Sequence, residues 1–317
     1  MKKILFIIDK IELKYFEFNK LVTNFWLIKT FLDKGCEVYI TTKLKLSLKG
    51  NVPYTKCYET FVQDENIFYK NILLEYEIDS FDTVMFRPDP PVDIDYINAT
   101  YIFDFVKHAE VINSPQAIRN FNEKLHSVYF NEYMSKNIVT SSLKDIENFL
   151  SEQKEIVLKP LNRCFGSGVM YLYQGDPNTR TIINTMTNNE TTLVMVQKYI
   201  PAVKQGDIRV LTLGDRILPY AIKKLPTKDD FKFNTHSDDF IVSANMTKEE
   251  LDTFTPVAQK LNSMNIKMAG LDVIDGKIIE VNVTSPCYFI KEINNLYNIH
   301  LENEICDFLL TKNLLSL

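Results

Sequence analysis

The chain has 317 residues, 45% hydrophobic and 24% charged, the balance of a soluble globular protein long enough for two or three lobes. A formal net charge of −5 without a long basic run argues against nucleic acid as a main partner, and no apolar run is long enough to span a membrane. Five scattered cysteines without a CxxC pair fit a reduced, cytoplasmic protein, and with only four histidines they offer no structural zinc spacing.

The first apolar run, Ile4 to Ile8, ends at Asp9 with no small-residue cleavage site after it, so it reads as a buried strand rather than a signal peptide. Leu21, Phe25, Ile28 and Leu32 then recur at helical spacing, with Trp26 expected in the core, and Gly35 closes that helix. Glu37 to Thr41 reads as a second strand, which predicts a parallel α/β unit; no GxGxxG marks it as dinucleotide-binding. Residues 44–80 are poorly patterned and are expected to hold short or irregular elements. Val84-Met85-Phe86 is a short buried strand that runs into Arg87-Pro88-Asp89-Pro90-Pro91, a loop stiffened by proline at a strand's C-terminal end. Ligands bind at that end of open α/β sheets, so Arg87 is expected to face one; the alternative is a connector with a solvated arginine.

Ile94 to His108 predicts a helix, Val111 to Asn113 a strand, and Ser114-Pro115 a helix start with proline at its first position. Asn122-Glu123-Lys124 falls on a helical stretch, and residues 138–155 hold a strand and a helix. Lys159 ends the apolar strand Ile156 to Pro160, a costly place for an ammonium unless it meets an anion or points outward. The polar loop that follows carries Gly166 and Gly168; such glycines let backbone N–H groups approach phosphate, although two glycines alone more often mark a turn. Leu193 to Val196 leads into Gln197-Lys198-Tyr199-Ile200-Pro201. Asp207 to Thr212 alternates as a half-buried strand with Arg209 on the polar face, and Ile217 to Lys224 is its expected antiparallel partner. Residues 226–246 read as a long mobile loop of the lid kind, Thr247 and Glu250 as a capping box, and Lys291 as the approximate start of a C-terminal helix.

Asp275-Gly276, flanked by two apolar runs, predicts a hairpin with a type I′ turn. Glu280 and Asn282 lie two apart and share a face, and Asp272 sits on the facing strand; Ile274, Val281 and Val283 are expected on the opposite face. Two carboxylates and an amide oxygen suit a hard cation such as Mg²⁺, yet spacing alone fits a polar surface turn equally well.

The ordered set Asn122-Glu123-Lys124, Leu158-Lys159-Pro160-Leu161, Gln197-Lys198-Tyr199-Ile200-Pro201, Gly206-Asp207-Ile208-Arg209-Val210, Gly270-Leu271-Asp272 and Glu280-Val281-Asn282-Val283-Thr284-Ser285-Pro286 resembles the bacterial glutathione synthetases of the ATP-grasp superfamily. Arg87-Pro88-Asp89-Pro90-Pro91 and Ser114-Pro115-Gln116 extend the likeness to the first half. The resemblance implies an ATP-grasp fold behind an N-terminal parallel α/β domain, divided at 1–122 and 123–317. It implies a ligase dependent on ATP and Mg²⁺ (or Mn²⁺) that joins γ-glutamylcysteine and glycine through an acyl phosphate, in a homo-oligomer, tetramer or dimer. By matching positions, Lys124 and Lys159 would hold phosphates, with Gly166 and Gly168 in the loop beside them. Gln197, Lys198, Tyr199 and Ile200 would line the adenine pocket, with Asp207 at the ribose. Asp272, Glu280 and Asn282 would hold the metal. Arg209, with Lys159, would stabilise the reacting charge, and Arg87, Ser285 and Asn234 would contact substrate.

This chain departs from the family pattern in the glycine loop, where Asn162-Arg163-Cys164-Phe165-Gly166 replaces glycines with bulk, and in the lid, which carries Lys232-Phe233-Asn234 and Asp238-Asp239. Lys224 replaces an arginine, which removes bidentate recognition, and Cys287 replaces a threonine. The ATP and metal framework is kept while positions facing substrate drift. That leaves open a ligase for a different acid or amine, and a nucleotide-binding relative with little turnover. Cys164 and Cys287 flank the expected site as either reactive or buried inert thiols.

Overall fold

The computed structural model describes residues 1–11, 20–164, 166–226 and 240–311. In the first third, β1 (Lys3–Ile8) and β2 (Glu37–Thr42) run parallel, joined by the helix Thr23–Asp33. β1 is apolar throughout because both its faces are covered: Phe6 packs towards Phe25, Leu27, Ile28 and Phe31, and Leu5 and Ile7 pack with Tyr96 and Phe103. Trp26 is half-buried at the rim of that core, and its indole N–H donates to the Lys20 carbonyl at 2.6 Å.

Residues 44–80 are more regular than their pattern suggests. They form β3 (Leu46–Lys49), β4 (Val52–Gln63), β5 (Asn66–Tyr69) and β6 (Leu74–Glu77), an antiparallel array around β4. β4 runs twelve residues with charged Lys56 and Glu59 within it, so no single apolar stripe announces it. β7 (Thr83–Phe86) and β8 (Glu110–Ile112) complete the sheet in the order β3-β4-β2-β1-β7-β8, with β7 parallel to β1 and β8. The helix expected over 94–108 stops at Ile102 and passes through a 3₁₀ turn at Phe103–Phe105. Beyond it, the N–H groups of Lys107, His108 and Ala109 all donate to the Asp79 carboxylate instead of continuing a helix.

Asn122-Glu123-Lys124 is a turn, not a helix. The Asn122 side-chain oxygen accepts from the backbone N–H of Lys124 (3.1 Å) and Leu125 (2.9 Å), a local bond that competes with the helical ladder. A four-stranded antiparallel sheet follows: β9 (Asn137–Thr140), β10 (Glu155–Pro160), β11 (Met170–Tyr173) and β12 (Val194–Lys198), in the order β11-β10-β12-β9. The helices Leu143–Gln153 and Thr179–Met186 cover one face through Ile146, Leu150 and Ile183.

The third sheet holds β13 (Asp207–Leu213), β14 (Arg216–Ile217), β15 (Ile222–Lys224), β16 (Ile241–Ser243), β17 (Met268–Ile274) and β18 (Lys277–Asn282), in the order β16-β15-β13-β17-β18 with β14 on β13. The partner expected across Gly214-Asp215 is therefore split into β14 and β15, with Pro219, which cannot donate to a ladder, between them. Most of the expected lid, including Asn234 and Asp238-Asp239, lies outside the described residues; its far end is β16, paired with β15. Thr247 and Glu250 form the expected capping box. The C-terminal helix is two helices, Ile290–Tyr297 and Leu301–Thr311, separated where Asn298 turns left-handed (φ 52°). Leu211, Leu213, Tyr288 and Leu301 from this part join Ile4 and Phe6 in one continuous core, which fixes the third sheet against the first.

Candidate active site

β17 and β18 meet at Asp275 (φ 50°) and Gly276 (φ 69°), the two positive angles of the predicted type I′ turn. Asp272 pairs directly with Glu280, and Gly270 with Asn282, so all three polar side chains face the same way. Ile274 faces the cavity with them: it lies two residues from Asp272 and so shares its face, and Val273 is the residue buried behind. The register slips between Asp272 and Val273, and this bulge turns both Ile279 and Glu280 towards the cavity. Val281 and Val283 pack in the core as expected.

The cavity has a volume of about 960 Å³, within the range that encloses a nucleotide-sized ligand. Its walls are the inner faces of the second and third sheets and the proline-rich loop after β7. The structure brings together Arg87, Lys124, Lys159, Gly166, Gln197, Lys198, Tyr199, Ile200, Asp207, Arg209, Asp272, Glu280, Asn282 and Ser285 along its lining. Gly168 lies outside that lining, packed towards Pro160 and Arg163.

Buried charges organise the floor. Arg209 grips Asp272 with two bonds, Nε at 2.8 Å and a terminal nitrogen at 3.2 Å, and Lys224 reaches Asp272 at 2.9 Å and Asp207 at 2.6 Å. Burial alone would raise the Asp272 carboxyl and lower its two partners. The Coulomb attraction outweighs it, so Asp272 is held well below the ordinary carboxylate range and Arg209 and Lys224 are pushed up. Burial wins at Asp207, whose carboxyl is raised. Arg209 lies flat across the strand over Gly270, where an added Cβ would stand 2.8 Å from a guanidinium nitrogen and 2.9 Å from Cδ. Its guanidinium also sits 5.6 Å above the Phe289 ring.

Lys124 bonds Glu280 at 2.9 Å and the Arg163 carbonyl at 2.6 Å. Lys159 is 8% exposed and donates to the Ile279 carbonyl at 3.1 Å; among the described residues no carboxylate stands within ion-pair distance of it. Burial lowers its ammonium to about 8, against the smaller pull of Glu280. Arg87, 4% exposed, is in the same position: it donates to the neutral oxygens of Asn24 (2.5 Å) and Pro286 (2.9 Å), and burial lowers its guanidinium. Glu123 accepts from the backbone N–H groups of Val283 (2.7 Å) and Thr284 (2.8 Å), and burial, then the Glu280 charge, push its carboxyl up to about 7.

The sequence pattern did not mark Glu123, Asn24, Thr284 or Phe289 as site residues, and it read Lys224 only as a replaced arginine. The signal for Glu123 and Thr284 was adjacency to Lys124 and Ser285; Asn24 and Phe289 arrive through tertiary packing alone. Two cavity groups have no partner among the described residues, the Gln197 amide nitrogen and the Thr284 hydroxyl, and each is a bond open to a ligand. Burial raises the thiols of Cys164 and Cys287, which keeps them protonated at neutral pH.

As a metal site the donor set is all oxygen, the choice of a hard cation. Among the described residues no cluster of three or more His, Cys, Asp or Glu is spaced to hold a metal. Two carboxylates and an amide leave most coordination positions to phosphate and water, which fits a divalent ion that arrives with a nucleotide. Glu280, paired with one lysine and 22% exposed at its side chain, is the accessible carboxylate, whereas Asp272 already carries two cations.

The whole chain superposes on a D-cycloserine synthetase with a TM-score of 0.67, covering 98% of this chain and 99% of that one at 14% identity. It superposes on D-alanyl-alanine synthetase A from Vibrio cholerae O1 biovar eltor str. N16961 with a TM-score of 0.62, covering 99% of both at 11% identity. The chain shares the fold of these two synthetases, two antiparallel sheets closing on a cavity of cations and carboxylates behind a mixed α/β sheet, and the match of residues 123–298 to an ATP-grasp domain model makes it an ATP-grasp protein. Models of the prokaryotic glutathione synthetase N-terminal domain and ATP-grasp domain match residues 2–119 and 123–298. The glutathione synthetase of Neisseria meningitidis serogroup B (strain ATCC BAA-335 / MC58) is 31% identical over 91% of this chain and 92% of that protein. That of Ralstonia nicotianae (strain ATCC BAA-1114 / GMI1000) is 32% identical over 90% and 89%. The chain belongs to the prokaryotic glutathione synthetase family. Members are ATP-dependent carboxylate–amine ligases that make glutathione with the help of a divalent metal, and this chain is one of them.

Proposed function

We propose that the cavity activates the cysteinyl carboxylate of γ-glutamylcysteine with the γ-phosphate of ATP and passes the acyl group to the amine of glycine, releasing ADP and phosphate. One observation carries the assignment of roles: Lys159 and Arg87, buried cations without carboxylate partners among the described residues, open on the same cavity as Glu280 and Asp272. Buried cations without partners are sites for anions, and the substrates bring both phosphates and carboxylates.

Lys159 and Lys124 hold the phosphates, beside Gly166 of the loop after β10. Gln197, Lys198, Tyr199 and Ile200 line the adenine pocket, where the Gln197 amide nitrogen has a bond to give, and Asp207 stands at the ribose. Arg209, fixed by Asp272, faces the charge that develops at the attacked carboxylate. Glu280 and Asn282, with Asp272 opposite, hold Mg²⁺, for which Mn²⁺ can substitute; when bound, the ion neutralises phosphate charge during transfer. Arg87 and Ser285 contact the peptide substrate, and Asn234 of the lid joins them. Residues 1–122 act as the substrate domain and 123–317 as the ATP-grasp domain. The protein works in the cytoplasm as a homo-oligomer, dimer or tetramer, with no nucleic acid or membrane partner. Among the described residues no helix is long and apolar enough to cross a membrane.

Purified protein should release phosphate from ATP only when γ-glutamylcysteine, glycine and Mg²⁺ are all present. Phosphate release that follows a different acid and amine, and fails with this pair, would move the assignment to another carboxylate–amine ligase. Binding of ATP without any acid-dependent ADP would leave a nucleotide-binding protein instead.

A further inference from the structure

Among the described residues β18 is the last strand of its sheet, so apart from a single bridge between Ile278 and Met134 its outer N–H groups have no ladder to join. Glu123 takes the ladder's place. Its carbonyl accepts from the Val281 N–H at 3.3 Å, and one oxygen of its carboxylate accepts from Val283 at 2.7 Å and from Thr284 at 2.8 Å. Val281 and Val283 lie two apart, so their N–H groups leave the strand by the same edge. The peptide between Val283 and Thr284 is held at both ends: Glu123 takes its N–H, and the Asn113 amide donates to its carbonyl at 2.9 Å. Asn113 is 5% exposed, and its remaining bonds all go to the backbone of Lys267 and Met268 where β17 begins.

The neighbours of Glu123 carry the same turn across to the loop after β10. The Asn122 amide donates to the Leu161 carbonyl at 2.8 Å, and Lys124 bridges the Arg163 carbonyl and Glu280. The turn itself is closed by the Asn122 side-chain oxygen, which accepts from Lys124 and Leu125, so Lys124 keeps its place without the Glu123 carboxylate. Removing that carboxylate strips two N–H groups of their acceptor and loosens the strand end that carries Glu280 and Asn282; a misplacement of about 1 Å is enough to spoil a metal site. We propose that Glu123 is a positioning residue for the divalent ion: through the N–H groups of Val283 and Thr284 it fixes the end of β18, and with it the aim of Glu280 and Asn282 into the cavity. It acts as a hydrogen-bond acceptor, not as a ligand. The role rests on the reading of Glu280 and Asn282 as metal-holding residues and names what keeps them in register.

Calorimetric titration of ADP with and without Mg²⁺ reads the contribution of the ion apart from turnover. Wild type is compared with Glu123→Gln, whose amide oxygen can still accept from both N–H groups, and with Glu123→Met, which has similar size and no such acceptor. Wild type and Glu123→Gln should bind ADP more tightly with Mg²⁺ by the same factor, to within a few-fold. In Glu123→Met that factor should fall by about 10-fold or more, the scale of losing a group that orients metal ligands, while ADP affinity without the ion stays within a few-fold of wild type. Glu123→Ala, read by the same factor, serves if the methionine variant does not fold. A methionine variant that keeps the wild-type factor, or that loses ADP equally with and without the ion, overturns the positioning role. So does a glutamine variant that loses as much as methionine, since the carboxylate charge would then be what matters. Wild type that binds ADP equally with and without Mg²⁺ overturns the metal reading of Glu280 and Asn282, and the role of Glu123 with it.

Discussion

Asp272→Asn should abolish ligase activity and unfold the protein more readily than any other single change in the cavity. The substitution removes the carboxylate charge that Arg209 grips with two bonds and that Lys224 also pairs with. Breaking a buried ion pair from one side costs about 3–5 kcal/mol, because the charge left behind has lost its compensation. Melting should therefore fall by on the order of 10 °C, and turnover by roughly 10³-fold as Arg209 loses its anchor. The pH dependence has a definite sign. The folded Asp272 carboxyl sits below its unfolded value, so its stabilisation is fully present above the ordinary carboxylate range and disappears as pH falls through the folded value. Thermal melts should show a constant gap between wild type and variant at neutral pH, closing in strong acid. A variant that melts with the wild type at pH 7 would mean that the Arg209–Asp272–Lys224 cluster is not buried as described.

Lys159→Met should do the opposite to stability and similar harm to function. Among the described residues Lys159 is buried without a carboxylate in ion-pair distance, so its charge is a cost to the empty protein, offset on the proposed reading when phosphate binds. The variant should melt at or above the wild-type temperature while KM for ATP rises by about 100-fold. Because the folded ammonium is lowered to about 8, the burial cost is full below pH 8 and is relieved between pH 8 and the unfolded lysine value. The melting advantage of Lys159→Met should accordingly be largest near pH 7 and vanish in alkali. The charges around it are Glu280, Lys124, Asp272 and Asp207. Wild-type kcat/KM for ATP should decline as pH rises through about 8, and that limb should be missing in the variant.

These two residues show what one-dimensional pattern could and could not convey. The face shared by Glu280 and Asn282 follows from a period of two, a local rule, but Asp272 joins them only through the bulge, since an unbroken two-residue hairpin would set Asp272 opposite Ile279. Ile274 was misplaced although the same period puts it beside Asp272, and the bulge that adds Ile279 to the cavity wall has no signature in the chain. The twelve-residue β4 was missed because its burial alternates with charge and its partners lie on both sides. Asn122 carried a helical reading until its side chain captured the backbone of Lys124 and Leu125. The pairing of Asp272 with both Arg209 and Lys224 was the least legible feature, since it depends on three strands meeting: β13, β15 and β17. For the same reason the ordered motifs named the family while leaving the individual charges unbalanced.

In the proposed reaction the cysteinyl carboxylate is phosphorylated and glycine then displaces the phosphate, and oxygen labelling reads both steps. γ-Glutamylcysteine carrying ¹⁸O in its cysteinyl carboxylate, turned over with ATP and glycine, should yield inorganic phosphate with one ¹⁸O atom for each peptide bond made. Phosphate without label, formed at the rate of ADP, would show that water rather than the carboxylate receives the phosphoryl group, and the acyl-phosphate account of this cavity would be wrong.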